Sequence, residues 1–320
     1  MPVQTRMEYD RRYYLLLFLE AVLVVYVAIK KFFCMIFAAT PSHNTWWYDR
    51  LDACQEIRQT AEKGQTAFSL NVVYNYQAHR KTHGFDEWLE RVWMNMPAAQ
   101  AVRNRKVIVT DILEAEVRRA ARVHPNRPVV AVFLAGGFVE TGVEVARRVS
   151  QDGIRMRGFV LDISRKALDH AKHHAEERGV GGMFDYIRLN LLDFERVEAY
   201  LHHMDVDVLE MIGIVDYLTH DQTVQLLRLA KSSLTPNGLV LSGNILKTCW
   251  EAPFLYTVIN WPRMHHRNTS EFTEMVNSAG FITDAEDMQI HVEPHKVFAV
   301  FEIRNPVSVP ALTEEIGQPA

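Results

Sequence analysis

From residue 128 to about residue 245 the chain switches repeatedly between two periodicities. Short apolar runs read as strands: "VVAVFLA" from Val129, "RMRGFVLD" from Arg155, "FDYIRLN" from Phe184, "VDVLEMIGI" from Val206 and "LVLSGNI" from Leu239. Between them lie segments with helical spacing: "ETGVEVARRVSQDG", "SRKALDHAKHHAEERG", Glu195 to Met204 and "HDQTVQLLRLAKSSLTPNG". Ser164 is placed to cap the second helix, and Gly179 to close it. Strand and helix in strict alternation predict a parallel, doubly wound α/β sheet. The end of the chain breaks the pattern. After a helix over Thr269–Gly280 come "DMQIHVE" and "KVFAVFEIRN", joined by a short turn. Strands that close together pair antiparallel, so the sheet is expected to end in a hairpin.

The first strand runs into Ala135-Gly136-Gly137, and helical spacing resumes at Glu140. A strand, a small-residue turn and a helix N-terminus form a cradle for a nucleotide-like ligand. The Gly-x-Gly-x-x-Gly spacing of dinucleotide folds is missing, which argues against a nucleotide-dependent oxidoreductase. Asp162 ends the second strand, where a carboxylate can accept from two adjacent ribose hydroxyls or serve the N-terminus of the next helix. Asn190 ends the third and reads as a ligand contact or a turn residue.

With these elements in place, the stretch 128–304 resembles the class I S-adenosylmethionine-dependent methyltransferases. The strand and helix order matches, final hairpin included, and so do "LTPNGLVLSGN" and "FTEMVNSAGF". The family's acidic-x-Gly-x-Gly-x-Gly turn is altered: Phe133 stands where an acid is common, Ala135 at the first glycine and Val139 at the last. The resemblance implies a Rossmann-like, mostly parallel seven-stranded sheet and S-adenosyl-L-methionine as cofactor. It places Ala135, Gly136 and Gly137 under the methionine part and Asp162 at the ribose, with Ile163 next to it among the cofactor-binding residues. Asn190, where the family often has an acid, falls at the adenine amino group, with Leu191 or Leu192 on the ring. "VDYL" at 215–218 falls beneath the methyl group. "MPAAQAVRNRKVI", from Met96, is similar to the upstream helix of a poorly characterised branch of the family.

Candidates for the chemistry are few. Glu210 interrupts an apolar strand, and a buried carboxylate needs a partner or a raised pKa. It could hold substrate, act as a base or bind the cofactor amine, or it could be a core acid paired with Arg103 or Arg105. Asp216 and Tyr217 follow at the same strand exit, where Asp216 could equally cap a helix. Asn244 ends the fifth strand. In "INWPRMHHRN", a loop that could roof the site, His265 and His266 are bases by type, with a plain surface histidine as the alternative. Glu210, Tyr217 and His266 are the catalytic candidates. No histidine or cysteine pattern indicates a metal.

Upstream, Tyr13–Ile29 is apolar apart from Glu20, flanked by Arg11-Arg12 and Lys30-Lys31, with a second apolar run over 32–39. At the short end of the spanning range, and with a central Glu costing about 2.5–3.5 kcal/mol on insertion, it reads as a buried helix on this chain or a second copy. A membrane anchor or a signal peptide are the alternatives. Residues 41–127 read as a helical cap, with a boundary at His124–Pro128 and a polar tail over 306–320. Trp46, Trp47, Tyr48, Tyr74 and Tyr76 could line an apolar pocket, which hints at a hydrophobic or lipid-like acceptor. Three scattered cysteines and a net charge of −4 fit a reducing compartment, the cytoplasm, and give no basic face for nucleic acid. The surviving rival to methyl transfer is a binding or scaffold protein with an eroded cofactor turn.

Overall fold

The computed structural model describes residues 13–36 (side chains from 14 to 29), 70, 73–76, 91–92, 94–257, 264–284 and 286–306. Of the helical cap read over 41–127, residues 41–69 with Trp46, Trp47 and Tyr48 and most of residues 77–93 lie outside the described residues, as do residues 259–263 of the "INWPRMHHRN" loop and the tail beyond 306.

Helix α1 spans Tyr13–Ile36, and α2 spans Pro97–Val123 with proline in its first turn, where no N–H partner is lost. Then come β1 (Val129–Leu134), α3 (Glu140–Gln151), β2 (Met156–Asp162), α4 (Arg165–Glu177), β3 (Phe184–Arg188), α5 (Phe194–Leu201), β4 (Val206–Met211), α6 (His220–Ser233), β5 (Leu234–Ile245), α7 (Ala252–Thr257), α8 (Thr269–Ser278), β6 (Met288–Val292) and β7 (Phe298–Arg304). The seven strands form one sheet in the order β3-β2-β1-β4-β5-β7-β6. Pairing is parallel from β3 to β5 and antiparallel for β5–β7 and β7–β6. The parallel sheet closed by a hairpin is as expected. The strand on the outside is β6, of which only Met288 is buried, whereas β7 is almost continuously buried.

The caps follow the sequence. Ser164 Oγ accepts from Ala167 N at the start of α4, and Gly179 closes the helix with φ +74°. Thr219 and Gln222 form a reciprocal capping box on α6.

The core lies on both faces of the sheet. One cluster joins Val109, Leu113 and Val117 of α2, Val143 and Val149 of α3, and Ala171 of α4 to Phe133, Val160 and Val208. The other joins Leu201, Leu226, Leu227, Phe272 and Val276 to Val132, Leu161, Leu209 and Phe301. The boundary expected at 124–128 falls between α2 and β1. Because α2 is itself part of the first cluster, this long helix belongs to the layer that covers the sheet.

Buried charge ties the starts of two neighbouring strands, β1 and β4. Asp207, 1% exposed, takes a two-pronged pair from Arg127 at 2.7 Å on each oxygen, together with Val130 N at 2.9 Å.

Helix α1 packs on α7 and α2. Its inner face carries Leu16, Val27 and Glu20, all buried. Glu20 meets the equally buried Glu251, and burial together with that neighbour raises the Glu20 carboxyl far above the usual range. The outer face exposes Leu15, Phe18, Val22, Val25 and Ile29. Among the described residues no helix is long and apolar enough to cross a membrane.

Candidate active site

The turn after β1 keeps a glycine-like backbone where the side chains have changed. Ala135 has φ 51°, Gly137 has φ 53° and Val139 has φ 47°, all left-handed. Ala135 and Val139 are the two positions at which the sequence departs from glycine. A non-glycine residue in this region costs about 1–2 kcal/mol, so the surroundings must hold the turn in place. They do so in three ways. Val139 is buried in the α2–α3–α4 cluster and its N–H donates to Gly136 O at 2.7 Å. Gly136 sits so close to β1 and β2 that an added methyl would lie 2.9 Å from Phe133 Cβ and Val160 Cγ1. Gly137 N donates to Asp162 Oδ2 at 3.0 Å.

Asp162 therefore bridges the turn and the tip of β2, because its other oxygen accepts from Ser164 N at 2.8 Å. Each carboxylate oxygen has room for a second donor. Next to it Ile163 is 59% exposed, and beyond it on the neighbouring strand exit Leu192 is 46% exposed. Two bare aliphatic side chains at adjacent strand tips can cover a flat apolar ring. Leu191 does not join them: it is buried in the second core cluster. Asn190 is exposed, and its side-chain oxygen caps the turn by accepting from Leu192 N at 3.1 Å.

The exit of β4 leads to a different environment. Glu210 is paired in register with Phe133 of the neighbouring strand β1. Its Oε2 accepts from Thr141 Oγ1, at the start of α3, at 3.0 Å. Burial raises its pKa, opposed by Thr141, the charge of Arg105 and the Ile212 N–H. Asp216 is buried too. Burial lifts it to about 6, against the pull of Ile245 N, Arg105 and Arg267. It accepts from Ile245 N at 2.7 Å, while its own carbonyl accepts from His265 N at 2.7 Å. Asp216 thus pins the β4 and β5 exits together rather than capping a helix.

Between these exits and α2 lies a cavity of about 130 Å³. Met94, Met96, Val102, Phe254, Met264 and Phe298 form apolar walls, and Arg105, Asp216 and Tyr217 add polar groups. Gly213 forms its boundary toward the glycine turn: a methyl built there would lie 3.5 Å from Ala135 O. The cavity and the turn thus meet across one peptide's width.

His266, expected as a base, is not among the cavity-lining residues. Its Nε2 bonds Tyr256 Oη, and burial lowers its pKa. His265 contributes its backbone, to Asp216 and to Asn244 Nδ2. Asn244 in turn accepts from Arg267 at 2.7 Å, making this loop a structural clamp on β5. Tyr217 is 40% exposed and does line the cavity. Of the cap aromatics, Tyr74 lies at the cavity's edge through its hydroxyl on Arg105 at 2.6 Å. The sequence points to Arg105 only as a partner for Glu210, not as a cavity residue. The signal it does carry is the polar run Arg103-Asn104-Arg105-Lys106, which spreads around most of the helix circumference, so that part of it must turn inward.

The described residues contain no cluster of three or more groups able to hold a metal ion.

No protein-family model and no curated protein matches the chain. Solved structures do. A protein described as a possible exported protein from Bordetella parapertussis superposes with a TM-score of 0.57 at 16% identity, over 83% of this chain and 99% of that one. The CMeT domain of the citrinin polyketide synthase superposes with a TM-score of 0.52 at 10% identity, over 79% of this chain and 64% of that one. With its parallel sheet closed by an antiparallel hairpin, the chain has the class I S-adenosylmethionine-dependent methyltransferase fold.

Proposed function

We propose that the protein transfers a methyl group from S-adenosyl-L-methionine to a small apolar acceptor held in the cavity beside Gly213. The observation that carries this reading is the junction itself. The cofactor-type turn at Ala135 and an apolar cavity large enough for a small molecule adjoin at Gly213. Ligands bind at the carboxyl ends of the strands in open α/β sheets, and both features lie there.

When bound, S-adenosyl-L-methionine supplies an electrophilic methyl group on a sulfonium. The chain's own residues fit it. Asp162 offers spare acceptor sites to the ribose hydroxyls, and Ile163 and Leu192 offer apolar surface to the adenine. Asn190, exposed at the same strand exit, would meet the adenine edge. Glu210, beside Thr141 and in register with Phe133 of β1, takes the amino group of the methionine part. The protein's contribution to rate is orientation in a dry pocket, where alignment of reactants is worth orders of magnitude. Tyr217 is one of the polar groups in the cavity wall and would hydrogen-bond the acceptor there. His266 is held by Tyr256 and supports the loop rather than the chemistry.

The test is calorimetric titration with S-adenosylhomocysteine. We expect micromolar binding that Asp162→Ala weakens tenfold or more, since a hydrogen bond to a charged group is worth about 1.5–3 kcal/mol. Asp162→Asn keeps an acceptor for the backbone donors and should fall between the two. A folded protein that does not bind would leave a non-catalytic, scaffold role as the better reading.

A further inference from the structure

Arg105 is the charged group that the cavity does not explain. It lies on α2, 6% exposed, with its guanidinium carbon 4.6 Å from the Phe298 ring centroid. A guanidinium has five N–H donors. One hydrogen bond is made, from Nη2 to Tyr74 Oη at 2.6 Å, and Nε is buried without a partner. Arg105 forms no ion pair among the described residues. Burying a cation with its donors unused costs several kcal/mol unless something compensates.

The nearby carboxyls do not do so. Glu210 and Asp216 act on Arg105 only through space, and burial pushes both toward the neutral form. Asp216 also faces Arg267, so its one charge is shared between two guanidiniums. Arg267 already donates to the carbonyls of Val215 and Leu218 and to Asn244 Oδ1. That leaves a positive charge in an apolar chamber, with open donors on the fork that suits a carboxylate best.

We infer that the acceptor is an apolar carboxylic acid, seated with its hydrocarbon body among Met96, Val102, Phe254 and Met264 and its carboxylate on Arg105. This assignment rests on the proposed methyl transfer for the word acceptor, but the binding it asserts does not. The carboxylate fixes one end of the molecule on α2 and so sets which atom faces Gly213. Arg105 is then a specificity residue.

The probes are trans-cinnamate and its neutral counterpart cinnamyl alcohol, titrated against the full chain saturated with S-adenosylhomocysteine, and again without it. Cinnamate should bind at least tenfold more tightly than the alcohol. Arg105→Met should erase that preference while leaving the alcohol's affinity within about threefold, and Arg105→Lys should restore part of it. Equal binding of the two probes, failure of both to bind, or a preference that survives in Arg105→Met would each overturn the assignment. If Arg105→Met does not fold, the ratio measured on the native chain decides alone. A carboxylate preference without any S-adenosylhomocysteine binding would uphold this pocket and sink the methyltransferase reading instead.

Discussion

Glu293→Ala is expected to lower the free energy of unfolding by about 3 kcal/mol, read as a shift of the denaturation midpoint at unchanged slope. Glu293 follows β6 and is 1% exposed. One oxygen accepts from Val297 N at 2.6 Å and Phe298 N at 3.4 Å. The other accepts from His295 N at 2.8 Å and from Asn104 Nδ2 of α2 at 3.4 Å. The side chain therefore replaces a backbone ladder in the turn and stitches that turn to the helix that carries Arg105. Truncation leaves three backbone donors in a region sealed from water, each costing about 1–3 kcal/mol before relaxation. Glu293→Gln should cost less, because one oxygen remains to accept. A change below 1 kcal/mol for the alanine variant would mean that water enters the turn and that α2 is not anchored there.

The second large effect is at the opposite end of the sheet. Asp207→Ala should also cost about 3 kcal/mol, by the same midpoint measurement. The variant loses the paired bonds from Arg127 and the bond from Val130 N, and with them the tie between the start of β1 and β4. Thr235 Oγ1, 3.3 Å away, loses a partner as well. The loss falls at the low end of the range for broken buried pairs. The reason is that Arg127 is 30% exposed and its guanidinium can turn to solvent, whereas the Val130 amide cannot. A loss near that of an exposed surface pair, under 1 kcal/mol, would contradict this.

Much of the fold was legible because each element carried its own period. The alternation from Val129 to Ile245 could be read residue by residue, and Ser164 and Gly179 marked the limits of α4 by the chemistry of their caps. Within the site, Asp162 could be placed because a strand tip is a local feature. Leu191 and Leu192 could not be told apart without the turn that points one inward and the other outward. The altered glycines misled in another way. A sequence shows the identity of Ala135 and Val139, but not that tertiary packing holds both in the left-handed conformation that glycine would adopt freely. The cavity was least legible. Its walls come from α2, the β4 exit, α7 and β7, segments far apart in sequence, and no periodicity links Arg105 to Asp216 or to Gly213.

If the crevice from Ala135 to Leu192 holds the cofactor with its reactive end toward Gly213, a crystal structure of the chain grown with S-adenosylhomocysteine will show it. The ribose hydroxyls are expected on the Asp162 carboxylate, the adenine between Ile163 and Leu192, and the sulfur facing the cavity across Gly213. A ligand bound elsewhere, or one whose sulfur faces away from the cavity, would contradict it.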